Sequence, residues 1–300
     1  MNSASTILVA GSANLDFVVR AGHIPAPGET VLGQGFQTFP GGKGANQAIA
    51  CARAGGAATR MLLALGGDAF AAPLEASLRD AGVQMHTVRC SETPTGAAFI
   101  CVADSAENAI TVAPGANAML RPDHLPPLTG VSHLLLQLET PIEAVAAYAS
   151  AAQAAGVAVV LNAAPARHLP AALLATVDIL VVNEGELTAL AGPAGDIAER
   201  AARLDVPCVI VTLGARGCCA KTPHGWLTQG AYAVQALDTT AAGDTFCGML
   251  VAALSQGQAL RDALALASAA AAIACTRMGA QTSIPTRAEV NAFMQANAAP

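Results

Sequence analysis

Charge and aromatic side chains are scarce in this chain: 12% of residues are charged, 3% are aromatic and the formal net charge is −6. A nucleic-acid surface needs clustered Lys and Arg interleaved with stacking rings, so that class is excluded. A local basic pocket for a phosphorylated ligand stays compatible with an acidic average. Cysteine pairing is missing as well. Cys51, Cys90, Cys101, Cys208, Cys218, Cys219, Cys247 and Cys275 are scattered through apolar segments without CxxC spacing. They read as reduced, mostly buried thiols, and the expected setting is the cytoplasm. The six histidines show neither HExxH nor a comparable spacing, which argues against a transition-metal site. No GxGxxG supports a nicotinamide or flavin enzyme, and no GxSxG elbow marks an α/β-hydrolase. Ile7-Leu8-Val9-Ala10 is too short for a signal-peptide core and lacks a basic leader. The most apolar stretches, 144–161 and 263–275, are alanine-rich and read as buried helices and a strand, with no membrane span.

What is present is apolar: 53% of 300 residues, enough for one large core and a single domain over 1–300. Short β-branched or Leu-rich runs alternate with Ala-rich helical stretches, the pattern of βαβ units in a mainly parallel sheet covered on both faces. Strands are expected at Ile7–Gly11, Thr59–Leu65, Ser132–Leu138, Val157–Asn162, Ile179–Val182 and Cys208–Thr212. Helices are expected at Ala45–Ala54, Ala69–Ala81, Pro141–Ala155, Glu184–Ala191, Asp196–Leu204, Gly243–Gln256 and Leu260–Arg277. Residues 14–39 and about 84–113 break the rhythm with strand-like runs such as Thr30–Leu32, Ala97–Val102 and Ala109–Ala113. They read as an antiparallel insertion that is either a lid over a cleft or a pair of decorative hairpins.

The most informative segment is Asp238-Thr239-Thr240-Ala241-Ala242-Gly243-Asp244-Thr245-Phe246. Small residues precede a helical apolar pattern, which puts free backbone N–H groups and the positive end of a helix dipole where an anion is favoured. Asp244 is then either a proton acceptor beside a phosphate-sized charge or an ordinary cap. Pro40-Gly41-Gly42-Lys43-Gly44-Ala45-Asn46-Gln47 is a second glycine-rich turn into a helix. It is not a Walker A loop, because Gln37 stands where the first glycine belongs and Gly44 where Ser or Thr would bind magnesium. A tight structural turn and a backbone cradle for a polar ligand, with Lys43 and Asn46 pointing into it, both remain open. Asn14 and Asp16 follow the first strand, Glu139 another, and Asn183 and Glu186 a further one. Open parallel sheets bind ligands beyond such strand ends. Each of these residues could equally be an Asx turn, helix cap or first-turn acid.

In this order, GSANLD, GGKGANQA, QLET, NEGE, VTLGARG and DTTAAGDTF resemble the ribokinase family of carbohydrate kinases, from Gly11 to Gly279-Ala280-Gln281-Thr282-Ser283-Ile284-Pro285. The resemblance implies a three-layer α/β/α core with a mainly parallel central sheet and a small antiparallel β lid, a homodimer formed through that lid, and ATP-dependent phosphorylation of the 5-hydroxyl of D-ribose with Mg2+ and a K+ activator. Position by position it implies Asp244 as the base and the N–H groups of Ala242, Gly243 and Asp244 as the anion hole. Asn14, Asp16, Gly42, Lys43, Gly44, Ala45, Asn46 and Glu139 would bind the sugar. Asn183, Thr212, Leu213, Gly214, Ala215, Arg216, Gly217, Gly243 and Ser268 would line the nucleotide site, with Glu186 organising Mg2+ through water. Asp238, Thr240, Ala274, Arg277, Gly279 and Ser283 would hold K+, largely through carbonyl oxygens. Two positions depart from the family: Cys247 stands where members usually carry Asn, and Met278 where a basic residue is frequent. The rivals are a kinase of the same family acting on another sugar or a nucleoside, and a sugar-binding protein without catalysis. Scarce aromatics weigh against a nucleoside, which usually needs a ring stacked on its base.

Overall fold

A computed structural model describes residues 5–105 and 107–297; residues 1–4 and 298–300 of the expected single domain, and Ala106 of the lid, lie outside the described residues. The first half of the chain runs β1 (Thr6–Ala10), β2 (Asn14–Ala21), β3 (Gly35–Gly41), α1 (Lys43–Ile49), β4 (Ala58–Gly66), α2 (Ala71–Asp80), β5 (Gln84–Cys90), β6 (Gly96–Ala103), β7 (Asn108–Ala113), β8 (Val131–Leu136) and α3 (Ile142–Ala154). The second half runs β9 (Ala158–Asn162), α4 (Ala171–Leu174), β10 (Ile179–Asn183), α5 (Glu184–Ala191), α6 (Ile197–Ala202), β11 (Cys208–Thr212), β12 (Cys218–Thr222), β13 (Gly225–Gln229), α7 (Ala242–Ser255), α8 (Leu260–Cys275) and α9 (Arg287–Ala296).

Nine strands form the main sheet in the order β13, β12, β11, β10, β9, β8, β1, β4, β5. All its pairings are parallel except β11–β12 and β12–β13. Strand periodicity divides the core. Ile7 and Val9 pack on one face with α7 and α8, while Leu8 and Ala10 pack on the other with Tyr148 of α3. Helices therefore cover both faces, which is why the parallel strands read as continuous apolar runs. From β1 the sheet grows outward to β4 and β5 on one side and to β8 and its successors on the other. The carboxyl ends of β1 and β8 consequently open into a crevice at a topological switch point. No helix among the described residues is long and apolar enough to cross a membrane.

The second sheet, in the order β3, β2, β6, β7, is the lid. Its outer pairings are antiparallel and its inner β2–β6 pairing is parallel. Two expectations need correction here. Residues 84–90 are not part of the lid: they form β5, the edge of the main sheet, paired in parallel with β4. Thr30–Leu32 is not a strand either; the lid strand is β3, beginning at Gly35. Pairing with β4, far from residues 84–90 in the chain, is what places them in the main sheet.

Candidate active site

The chain reaches the crevice as it leaves β1. Asn14 and Asp16 open β2 and are both buried. Asn117 donates from Nδ2 to Asn14 Oδ1 at 2.8 Å, while its own Oδ1 accepts the Ala13 N–H at 3.0 Å. This buried partner fixes the Asn14 amide, and it lies in the turn Gly115–Met119, whose sequence carries no ligand-binding signal. Gly42 adopts φ 90°, and a β-carbon there would lie 2.7 Å from Asn14 N. One at Gly44 would lie 2.6 Å from Gly11 C and Ser12 N. The glycine-rich turn thus lets α1 press on the β1 exit, backbone against backbone.

Glu139 closes this arrangement across the switch point. Its Oε2 accepts the Ser12 hydroxyl at 2.5 Å and the Lys43 N–H at 3.1 Å. Burial, reinforced by the like charges of Glu139 and Asp244, pushes the Asp16 carboxyl up to about 7. Lys43 balances this acidic group. Asp244 is the main influence raising its ammonium above the ordinary range, burial opposes, and Glu139 and Glu186 add to the rise. One lysine therefore senses acids supplied by three separate strand or helix ends.

Asp244 lies in the first turn of α7 and is 7% exposed. The turn before it bends through Ala241 at φ 58°, the only non-glycine residue with positive φ among the described residues. That conformation costs free energy, which surrounding structure must offset. The Ala242 N–H donates to Thr239 O at 3.2 Å. Those of Gly243 and Asp244 have no acceptor among the described residues. Of the three donors assigned to an anion hole, these two are free at the positive end of a 14-residue helix. Both Asp244 oxygens are held: Oδ2 accepts from Asn46 Nδ2 and Oδ1 from Gln47 Nε2, each at 2.9 Å.

On the other side of Gly243 lies a cavity of about 450 Å3. Thr212, Gly214, Ala215, Gly217, Gly243 and Ser268 line it, joined by Tyr232, Val234, Phe246 and Cys275, which sequence reasoning missed. Their only common signal is apolarity, indistinguishable from core. Leu213 and Arg216 do not line the cavity; Leu213 packs on the core and Arg216 is ion-paired with Glu184. Asn183 and Glu186 form a reciprocal capping box on α5, the Asn183 N–H donating to Glu186 Oε2 and the Glu186 N–H to Asn183 Oδ1, both at 2.8 Å. Burial nonetheless lifts Glu186 above the ordinary carboxyl range, with Asp244 adding like charge and Lys43 opposing. The cap therefore also faces Asp244 and Lys43.

Asp238 ties two segments together. Its Oδ1 accepts from Thr240 N at 2.9 Å and from the Thr240 hydroxyl at 2.6 Å, and its Oδ2 from Gly279 N at 2.9 Å. Burial works to raise this carboxyl, but these bonds, with Arg20 nearby, hold it below the usual range. Ser283 is fully buried and its hydroxyl donates to Ala280 O at 2.7 Å. The Ala274 carbonyl accepts the Arg277 N–H at 3.1 Å. Cys247 is buried beside Asp244, its thiol pushed well up by burial and then by the neighbouring acids, while Met278 is exposed.

Residues 4–287 match the pfkB family carbohydrate kinases. The chain is 38% identical over 304 residues to a ribokinase of Haemophilus influenzae, covering 97% of this chain and 98% of that one. Among solved structures it is similar to a ribokinase from Thermotoga maritima, with a TM-score of 0.92 at 37% identity over 97% of this chain and 99% of that one. It is likewise similar to a ribokinase of Arabidopsis thaliana complexed with ribose and ATP, with a TM-score of 0.90 at 31% identity and the same two coverages.

Proposed function

The chain belongs to the pfkB family of carbohydrate kinases, and from that premise we propose that it transfers the γ-phosphoryl group of ATP to the 5-hydroxyl of D-ribose. The observation that carries this is the place of Asp244. It lies at the N-terminus of α7 between the polar crevice of Asn14, Asp16 and Lys43 and the cavity that Gly243 lines. Sugar on one side and nucleotide on the other bring acceptor and donor to the same helix end. Asp244 Oδ2 takes the proton of the attacking hydroxyl, and the Gly243 and Asp244 N–H groups meet the oxygens of the transferring group. Lys43 balances charge on the sugar side. Positioning and charge stabilisation supply most of the rate in such transfers.

Glu186 is the carboxylate that would hold Mg2+ through water, an arrangement suited to an ion bound mainly by phosphate oxygens. When bound, Mg2+ neutralises phosphate charge. The donor set around Asp238 and Thr240, with the carbonyls of 274–283, is all oxygen and suits K+, whose charge would support the loop that carries the anion hole.

The lid is also proposed to form a homodimer. Phe36 and Phe99 share one face of it with Phe17, whose ring centroid lies 5.9 and 5.3 Å from theirs. Ile110 and Val112 lie on the other, Asp16-bearing face by register. Phe36 is 64% exposed, Phe99 53% and Ile110 55%. A lid with apolar residues on both faces can turn only one to the sugar, and a second copy would cover the other.

Turnover of ATP coupled across ribose, deoxyribose, fructose and nucleosides, with and without K+, tests the substrate and activator. Ribose with K+ should be preferred; a nucleoside preference refutes the sugar assignment. Asp244→Asn tests the base. Its new NH2 can face Asn46, whose Oδ1 is buried without a partner and is free to turn and accept, so shape survives. Turnover should fall by about 10²-fold or more while ribose still binds. Wild-type protein that binds ribose but transfers nothing from ATP in the presence of both cations would be a sugar-binding protein instead.

A further inference from the structure

Behind Asp244 lies a chain of buried carboxamides that no step above uses. Gln47 and Gln137 are both 0% exposed, and Asn162 is 8% exposed. They come from α1, from the residue after β8 and from the end of β9. Asn162 Nδ2 donates to Val181 O at 3.2 Å, which turns its Oδ1 towards Gln47. Gln47 Nε2 donates to that Oδ1 at 3.0 Å and to Asp244 Oδ1 at 2.9 Å. Gln47 Oε1 in turn accepts from Gln137 Nε2 at 2.6 Å. An amide nitrogen has two hydrogens, and both are committed. Gln47 can therefore present only a donor to Asp244.

Burying amides is unfavourable unless they are satisfied, and apolar residues of the same shape would serve a core at least as well. Here the cost is taken on visibly: Gln137 Oε1 has no partner among the described residues. The backbone also makes room for it, since a β-carbon at Gly11 would lie 1.9 Å from that oxygen. The whole chain converges on one carboxylate oxygen.

We propose that Gln47 is a positioning residue for the base, oriented by Gln137 and Asn162, and that it holds Asp244 Oδ1 so that Oδ2 is the oxygen presented to the sugar hydroxyl. The proposal rests on Asp244 being the base. It assigns Oδ1 to the closed side of the site and Oδ2 to the side of Asn46. Releasing Oδ1 lets the carboxylate rotate about its side-chain torsion, and a misplacement on the order of 1 Å costs about 10²-fold in rate.

Gln47→Met should lower kcat by about 10²-fold with KM for ribose and ATP nearly unchanged. Its effect should vanish in the Asp244→Asn background, because a residue that acts only through the base has nothing left to position. A purely structural role would lower both backgrounds by the same factor or change KM and thermal stability without kcat, and either result overturns the proposal. If Gln47→Met fails to fold, Gln137→Met decides. It should lower kcat by a smaller factor, again only when Asp244 is present, and an unaffected kcat refutes the inference. Loss of turnover in Asp244→Asn with none in the two glutamine variants sinks this inference alone. Full turnover in Asp244→Asn sinks the reading beneath it.

Discussion

Asp16 is a carboxyl that burial and two acidic neighbours push up to about 7, and as a proposed ligand of the sugar hydroxyls it should make ribose affinity follow its ionisation. A carboxylate can accept hydrogen bonds from two hydroxyls, whereas the protonated acid gives up part of that capacity. With a titration near pH 7, the ionised fraction in the sugar-free protein is about a tenth at pH 6 and about nine-tenths at pH 8. Ribose, which does not titrate in this range, should therefore bind about tenfold more tightly at pH 8 than at pH 6 and release about one proton at the lower pH. Calorimetric titration in buffers of different ionisation enthalpy reads both quantities. The same shift appears in stability. Because the folded value lies above the ordinary 3.8, the favourable contribution is complete below about pH 4 and is lost as pH rises through about 7. Above that, the folded protein bears a cost of up to about 4 kcal/mol. Asp16→Asn removes the titration, so its advantage in stability over wild type should grow by about 2–3 kcal/mol between pH 5 and pH 8. Chemical denaturation of the sugar-free proteins measures it. Parallel pH dependences in the two proteins, or ribose affinity flat from pH 6 to pH 8, would refute the reasoning.

Gly44→Ala should destabilise the protein by about 1–3 kcal/mol in denaturant titration, because its β-carbon meets the backbone of Gly11 and Ser12, which cannot rotate away; unchanged stability would show that α1 does not depend on that close approach. Phe36→Glu combined with Phe99→Glu should convert a dimer to a folded monomer in sedimentation at micromolar concentration. A wild-type protein that is already monomeric there removes the lid interface from the proposal.

Much of the fold was legible because its signal is local. The runs Ile7–Ala10, Leu134–Leu136 and Val209–Val211 are buried on both faces, and a strand buried on both faces has to be apolar throughout. Helices α3, α7 and α8 fall close to their expected limits. The edges were less legible. β5, the β12–β13 hairpin and α9 have mixed burial, so their patterns compete with those of ordinary surface loops. Lid strand β3 was displaced from Thr30–Leu32 to Gly35–Gly41 because its register is set by β2, which lies across the connection 22–34.

The order of motifs in the sequence already pointed to the family and marked out the proposed base and anion-binding turn, since each is written in consecutive residues around Asp244, Gly42 and Asp16. Tertiary structure alone decided which donors remain free and which amides hold Asp244. Ala242 N–H is taken by Thr239, leaving Gly243 and Asp244. Gln47 on α1, Gln137 and Asn162 at the ends of β8 and β9, and Asn117 in the turn Gly115–Met119 meet their partners only once these elements have been brought together. A hydrogen bond depends on distance and direction in space, and for residues about a hundred positions apart the folded sheet alone fixes both.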